Sequence, residues 1–255
     1  MKKNKKDIDK LCKISYFTVS TKDLPQLQRL KKSAEKHKWK LDILGLEQNT
    51  NTLGWRNGGN FSIKLIKQKE YVATKNYDDI VLFTDAWDVI CLGDCSTLYK
   101  RFIKFNKDLV FGAEKACSPD GVKAPLYKTK DVLFPYLNSG FFIGKAGVIK
   151  KYLESYNGEK TQDQIYWTDI YLANQDTIAL DTNADLVLNL WDTDVNTYKI
   201  DNSFTYTVTN TKPLFVHANG LIKERIDLFI PLLEGGYKKY RKNKTKKNKK
   251  LTNRL

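Results

Sequence analysis

Apolar and polar positions alternate along this chain in blocks that predict a strand–helix succession. Residues 14–20 (ISYFTVS) are rich in β-branched and aromatic side chains, as in a strand, and residues 23–36 set Leu24, Leu27 and Leu30 at helical spacing. Residues 41–46 (LDILGL) read as a second strand, and residues 61–74 return to helical spacing. Residues 79–84 (DIVLFT) form a nearly continuous apolar run, the mark of a strand buried on both faces. A helix over 96–105 and an apolar strand over 109–113 (LVFGA) complete a βαβαβαβ order. That order predicts an α/β fold with a parallel, doubly wound sheet. Beyond residue 114 the pattern loosens. Strands are predicted over 140–144, 177–181, 186–190, 204–208 and 213–217, and helices over 162–172 and 222–233.

The formal charge of +15 at pH 7 by itself points to nucleic acid. Its location argues otherwise. Residues 238–255 hold ten Lys or Arg and no acid, residues 1–13 hold six Lys and two Asp, and residues 14–237 balance 28 bases against 27 acids. The excess therefore sits in two end segments without helical or strand periodicity. Residues 1–12 and 238–255 are expected to be solvated basic tails around one domain over 13–237, which no repeat or Pro/Ser/Gly-rich linker divides. Such tails serve solubility or touch a polyanion or membrane surface. The body has no basic stripe interleaved with aromatics, so nucleic acid is expected to engage a tail or not at all.

A hydrophobic content of 41% excludes a wholly disordered chain. No run of about 18 apolar residues occurs, so no transmembrane helix is expected. The basic N-terminus lacks a following apolar stretch, so it does not read as a secretory signal. Cys12, Cys91, Cys95 and Cys117 form no CxxC pair, and with only His37 and His217 beside them a structural zinc is not expected. They read as free thiols of a reducing, cytoplasmic setting.

The sharpest chemical feature is 83–88 (FTDAWD), where a buried strand ends in Asp85 and Asp88. Ligands of open α/β sheets collect at carboxyl ends of strands, and two carboxylates three apart can converge on a hard divalent cation that bridges a diphosphate. The same pair would also serve as a helix cap and a solvated acid. His217 likewise ends an apolar run, 213–217 (PLFVH), followed by Asn219, Gly220 and Lys223. It is either a satisfied structural histidine or a third ligand. One imidazole with two carboxylates suits Mn²⁺ better than an all-oxygen Ca²⁺ cage. The Asn219-Gly220 turn can present backbone N–H groups to an anion, and Lys223 can balance phosphate charge. Trp55, beside Gly58 and Gly59, either stacks on a planar base or plugs a sheet edge. There is no GxGxxG after the first strand, no P-loop and no GxSxG, which argues against a nicotinamide enzyme, a P-loop NTPase and a serine hydrolase.

Taken in order, 18–21 (TVST), 44–46 (LGL), 55–59 (WRNGG), 84–90 (TDAWDVI), 137–144 (LNSGFFIG), Asp163-Gln164 and 217–220 (HANG) resemble the glycosyltransferase domain of the multifunctional collagen lysyl hydroxylases. The resemblance covers roughly residues 13–230, and the chain looks like a stand-alone, giant-virus version of that domain. It implies a GT-A-like fold, with a Rossmann-type nucleotide half merged with a mixed-sheet acceptor half. It implies a UDP-sugar-dependent hexosyltransferase using UDP-glucose or UDP-galactose, glucose being favoured, on galactosyl-hydroxylysine of a collagen-like polypeptide. Asp85, Asp88 and His217 would bind Mn²⁺. Val19, Thr21, Trp55 and Trp87 would lie around the uridine, Lys64 near the nucleotide, and Asn219, Gly220 and Lys223 near the diphosphate. Asn138 and Asp163 would face the sugar and acceptor. Three positions depart from the family pattern: Gln162 replaces an acid, Trp87 a tyrosine and Ala218 a glycine. The rival expectation is a polyanion-binding protein acting through its basic tails on an inactive scaffold of this fold.

Overall fold

The structure, a computed structural model, describes residues 13–48, 61–129 and 131–234. Its centre is a six-stranded sheet of β1 (Ile14–Val19), β2 (Leu41–Leu44), β3 (Ile80–Asp85), β5 (Leu109–Glu114), β6 (Tyr136–Lys145) and β7 (Ile178–Asp181), in the order β2-β1-β3-β6-β5-β7. β1 is parallel to β2 and β3, β5 is parallel to β7, and β6 runs antiparallel to both its neighbours. The strands expected to be parallel, β1, β2, β3 and β5, do point one way, and β6 enters between β3 and β5 in the opposite direction, which makes the sheet mixed.

Alternation explains the long apolar runs. Phe17, Phe83, Phe111 and Phe142 pack on one face with Trp167, while Tyr16, Leu82, Val110, Phe141 and Ile143 pack on the other. Phe142 is the hub of the first set, with ring centroids 5.1 Å from Phe83 and 5.4 Å from Phe111. Adjacent residues enter opposite layers, so both sides of each strand must be apolar. Each fully buried Phe contributes about 1.5–3 kcal/mol of transfer free energy.

Helices α1 (Pro25–Lys36), α2 (Phe61–Ala73), α3 (Cys95–Phe102), α4 (Ala146–Glu154) and α5 (Asp163–Ala173) flank this sheet. α1 begins on Pro25, which has no N–H to lose at a first turn, and buries Leu27, Leu30 and Ala34. α3 is capped by Asp94, whose carboxylate accepts from Thr97 N–H at 2.8 Å. A second, three-stranded sheet has the order β4 (Val89–Cys91), β11 (Phe215–His217), β8 (Val187–Asn189), and β9 (Tyr198–Ile200) pairs with β10 (Phe204–Tyr206). The helix expected over 222–233 is instead a 3-10 helix, Lys223–Phe229, followed by the short α6, Ile230–Leu233. Pro231 cannot donate to the preceding turn, which confines the α-helix to the last four residues. No helix among the described residues is long and apolar enough to cross a membrane.

The cysteines need one correction. Cys91 and Cys117 are free, and burial pushes the Cys91 thiol up to about 12, so it is inert. Cys95, however, is disulfide-bonded, which removes the ground for reading every thiol as reduced.

Candidate active site

The strand registers assemble a cleft at the carboxyl ends of β3 and β11. β1 and β3 pair with Val19 opposite Asp85. β11 and β4 pair antiparallel with His217 opposite Val89, and Ala218 N–H donates to the Asp88 carbonyl at 2.8 Å. Two strand ends far apart in sequence thus bring Asp85, Asp88 and His217 together. Each offers one ligand atom within 4.8 Å of the others. His217 Nε2 lies 3.3 Å from Asp88 Oδ2 and 3.7 Å from Asp85 Oδ2.

Two lysines reach this cluster. Lys64, on α2, sits 2.7 Å from Asp85 Oδ1 and 3.3 Å from Asp163 Oδ2. Burial works against its charge, but Asp163, Asp85 and Asp88 outweigh it and hold the ammonium charged. Lys223, half-exposed at the rim, donates to Asp88 Oδ2. Burial would raise Asp88, yet His217, when its ring is charged, and Lys223 overcome it and hold the carboxyl well below the usual range. Asp163 goes the other way. Burial raises it, Lys64 lowers it in part, and the nearby Asp85 charge raises it again. It also accepts from Ser139 Oγ at 2.9 Å.

Glu114 organises the opposite wall, and the sequence pattern did not single it out. Its Oε1 accepts from Asn138 Nδ2 at 3.0 Å and Gln164 Nε2 at 3.1 Å, and its Oε2 from Asn219 Nδ2 at 2.7 Å. Burial pushes it up to about 7, with these donors and His217 pulling it down. Gln164 also bonds the Leu137 carbonyl and the Ser139 N–H, tying α5 to β6. A bulge in the β5–β6 ladder between Phe111 and Gly112 shifts the register so that Asn138 stands opposite Gly112. The one available signal for Glu114 was its position at the carboxyl end of an apolar strand, the criterion that drew attention to Asp85.

Of the residues named from sequence, Val19, Thr21, Lys64, Asp85, Trp87, Asp88, Asn138, Asp163, His217, Asn219, Gly220 and Lys223 all line one cleft of about 510 Å³. Trp55 lies outside the described residues. Trp87 donates its ring N–H to Ser20 Oγ at 2.8 Å, which fixes the indole at the cleft edge. Asn219 spends its side chain internally, accepting from Trp191 N–H at 2.9 Å while donating to Glu114. Gly220 has φ +69°, and a Cβ there would lie 2.7 Å from Trp191 Cε3. Glycine is required on both counts. Trp191 and Glu114 also line the cleft without having been marked by the sequence pattern, as do Ser139 and Gln164, which fell within quoted motifs but were assigned no role.

A sequence profile of the PLOD GT domain matches residues 10–242. The chain belongs to the PLOD GT domain family. Its relatives include the multifunctional procollagen lysine hydroxylase and glycosyltransferase of Caenorhabditis elegans, 30% identical over 86% of this chain and 32% of that protein. The LH3 enzyme of Rattus norvegicus is 28% identical over 88% of this chain and 32% of its own length. Human procollagen-lysine,2-oxoglutarate 5-dioxygenase 1 is 28% identical over 83% and 30%. The chain thus spans about a third of these relatives and is homologous to their glycosyltransferase part. In fold it is similar to a solved glycosyltransferase involved in glycosylating the major capsid of PBCV-1, with a TM-score of 0.50, 12% identity, and coverage of 84% of this chain and 97% of that one. The fold of this chain is therefore GT-A-like, with β6 running against its neighbours. Nothing in these likenesses supports a polyanion-binding scaffold.

Proposed function

We propose that this PLOD GT domain is a metal-dependent hexosyltransferase that moves glucose from UDP-glucose to galactosyl-hydroxylysine of a collagen-like polypeptide. The observation that carries the reading is the convergence of Asp85, Asp88 and His217 within 4.8 Å at two strand ends, inside a cleft of ligand size. Two carboxylates and one imidazole are a donor set that fits Mn²⁺. When bound, that cation supplies Lewis-acid stabilisation of the UDP leaving group, worth several kcal/mol.

The chain's own residues do the rest. Lys223 is half-exposed and can turn from Asp88 to a diphosphate oxygen, adding positive charge where the glycosidic bond breaks. Gly220 lets the backbone approach the diphosphate, while Asn219 holds that turn against Glu114 and Trp191. Val19, Thr21 and Trp87 flank the uridine. Lys64 keeps Asp85 and Asp163 from repelling each other while the cleft fills. Asn138 and Asp163 face the sugar and acceptor hydroxyl, and Ser139 fixes the Asp163 carboxylate. Gln162 stands at the cleft where the family pattern has an acid, so Asp163 is the carboxylate assigned to the acceptor side.

The test is a screen of UDP-sugars with Mn²⁺ against a galactosylated hydroxylysine peptide. UDP-glucose is expected to release UDP and glucosylate the peptide, in a chelator-sensitive way. Preferred turnover of UDP-galactose would correct the donor. No turnover of any donor would overturn the proposal.

A further inference from the structure

We propose that Asn189 is a positioning residue for His217, holding the imidazole in the tautomer whose bare Nε2 faces Asp85 and Asp88. The catalytic consequence rests on the metal-dependent reading above, whereas the hydrogen-bond geometry stands independently of it. β8 and β11 pair in parallel with Asn189 in register with His217. His217 Nδ1 lies 2.8 Å from Asn189 Oδ1, and Asn189 Nδ2 donates to the Ala113 carbonyl at 2.8 Å. A carbonyl oxygen only accepts, so Ala113 fixes which end of the amide is nitrogen. The amide oxygen is thereby left toward the ring, and it too only accepts. Nδ1 must then carry the proton, which leaves Nε2 of the neutral ring as a lone pair.

That lone pair looks at two carboxylates, 3.3 Å and 3.7 Å away. With the ring neutral, three acceptors converge in one place, flanked by Lys64 at Asp85 and Lys223 at Asp88, and a divalent cation would fit between them. Both members of the pair are sealed from water, with Asn189 0% and His217 3% exposed. Two glycines on β5 and β6 make the slot. A Cβ on Gly112 would lie 3.3 Å from Asn189 Nδ2, and one on Gly140 only 2.3 Å from His217 Cε1. Outer partners of this kind orient a metal-binding histidine, and their loss typically costs about 10–100-fold in metal affinity.

Imidazole ¹⁵N spectra test the claim directly, because the chain has only two histidines and a His37→Gln variant assigns them. In metal-free protein at pH 9 the neutral His217 ring is expected to carry its proton on Nδ1. A proton on Nε2 overturns the proposal whether or not a metal binds. Titration with Mn²⁺ in the presence of UDP then compares wild type with two variants. Asn189→Ala is expected to weaken Mn²⁺ binding about 10–100-fold, while Asn189→Asp, which keeps an acceptor for Nδ1–H, retains most of it. Equal affinity in wild type and Asn189→Ala overturns the proposal. If Asn189→Ala fails to fold, the wild-type spectrum and Asn189→Asp still decide. Nδ1 protonation in a wild type that binds no Mn²⁺ would remove the metal reading and leave the orienting role of Asn189 intact.

Discussion

Asp88 and Glu114 are both buried in the same cleft, yet their carboxyl groups are driven in opposite directions. Burial pushes Glu114 up to about 7, and the neutral amides of Asn138, Gln164 and Asn219, with His217 nearby, pull it down only in part. Asp88 is buried as deeply, but the Lys223 ammonium, joined by His217 when its ring is charged, holds it ionised. Amide donors satisfy a carboxylate's oxygens without supplying a counter-charge, whereas cationic neighbours do both, so the neighbours set the sign of the shift. The two walls are therefore equipped for different work. The Glu114 wall is a fixed hydrogen-bonded frame joining β5, β6, α5 and the Asn219 turn. The Asp88 wall keeps negative charge facing a rim lysine that can leave, which suits exchange of one cation for another.

Breaking the charged wall should have the largest effect. Asp88→Asn keeps the shape and removes the charge, so initial-rate UDP release with Mn²⁺ is expected to fall on the order of 10²–10³-fold. The melting temperature should stay near wild type; unchanged turnover would remove Asp88 from the charged wall's function.

The neutral wall is tested by pH. A glutamate ionises near 4.5 in the unfolded chain, and burial moves Glu114 to about 7 when folded. The folded state holds the extra proton between these values, so this group's contribution to stability is lost as pH rises from 4.5 through 7. Glu114→Gln deletes that dependence. Its stability relative to wild type is expected to rise across the window by on the order of 3 kcal/mol, at about 1.36 kcal/mol per unit. Denaturant melts at several pH values measure the difference, and a flat difference contradicts the assignment. Gly140→Ala should sharpen the comparison with a smaller effect. The new Cβ on β6 would press on His217 Cε1 of β11, so Mn²⁺ affinity measured by electron paramagnetic resonance should drop about 10–100-fold, while the pH dependence due to Glu114 persists.

The charged wall was also the more legible in sequence. Asp85 and His217 each end an apolar run, so strand periodicity alone pointed at them. Glu114 satisfies the same rule at the end of β5, but a lone acid without a second ligand nearby gave no chemical reason to choose it. Asn189 had no local signal, because its meaning comes from the β8–β11 register across 28 residues. β6 was legible only from residue 140 onward because its first half, with Asn138 and Ser139, carries small and polar residues that are buried against the cleft rather than the core. Its antiparallel direction was unreadable as well, since apolar alternation is identical for either orientation. β4 has three residues and β9 three, too short for any periodicity to register. α4 opens on Ala146-Gly147, a glycine that a helix reading discounts but that Tyr77 requires, since a Cβ would lie 2.0 Å from its ring.

The claim on which these arguments converge is that Asp85, Asp88 and His217 together hold a divalent cation beneath UDP. Calorimetric titration of UDP into the protein, with Mn²⁺ and again with excess chelator, tests it most directly. The account predicts one UDP per chain that binds tightly with Mn²⁺, weakly with chelator, and weakly under both conditions in Asp88→Asn. UDP affinity that is the same with and without Mn²⁺ would contradict it.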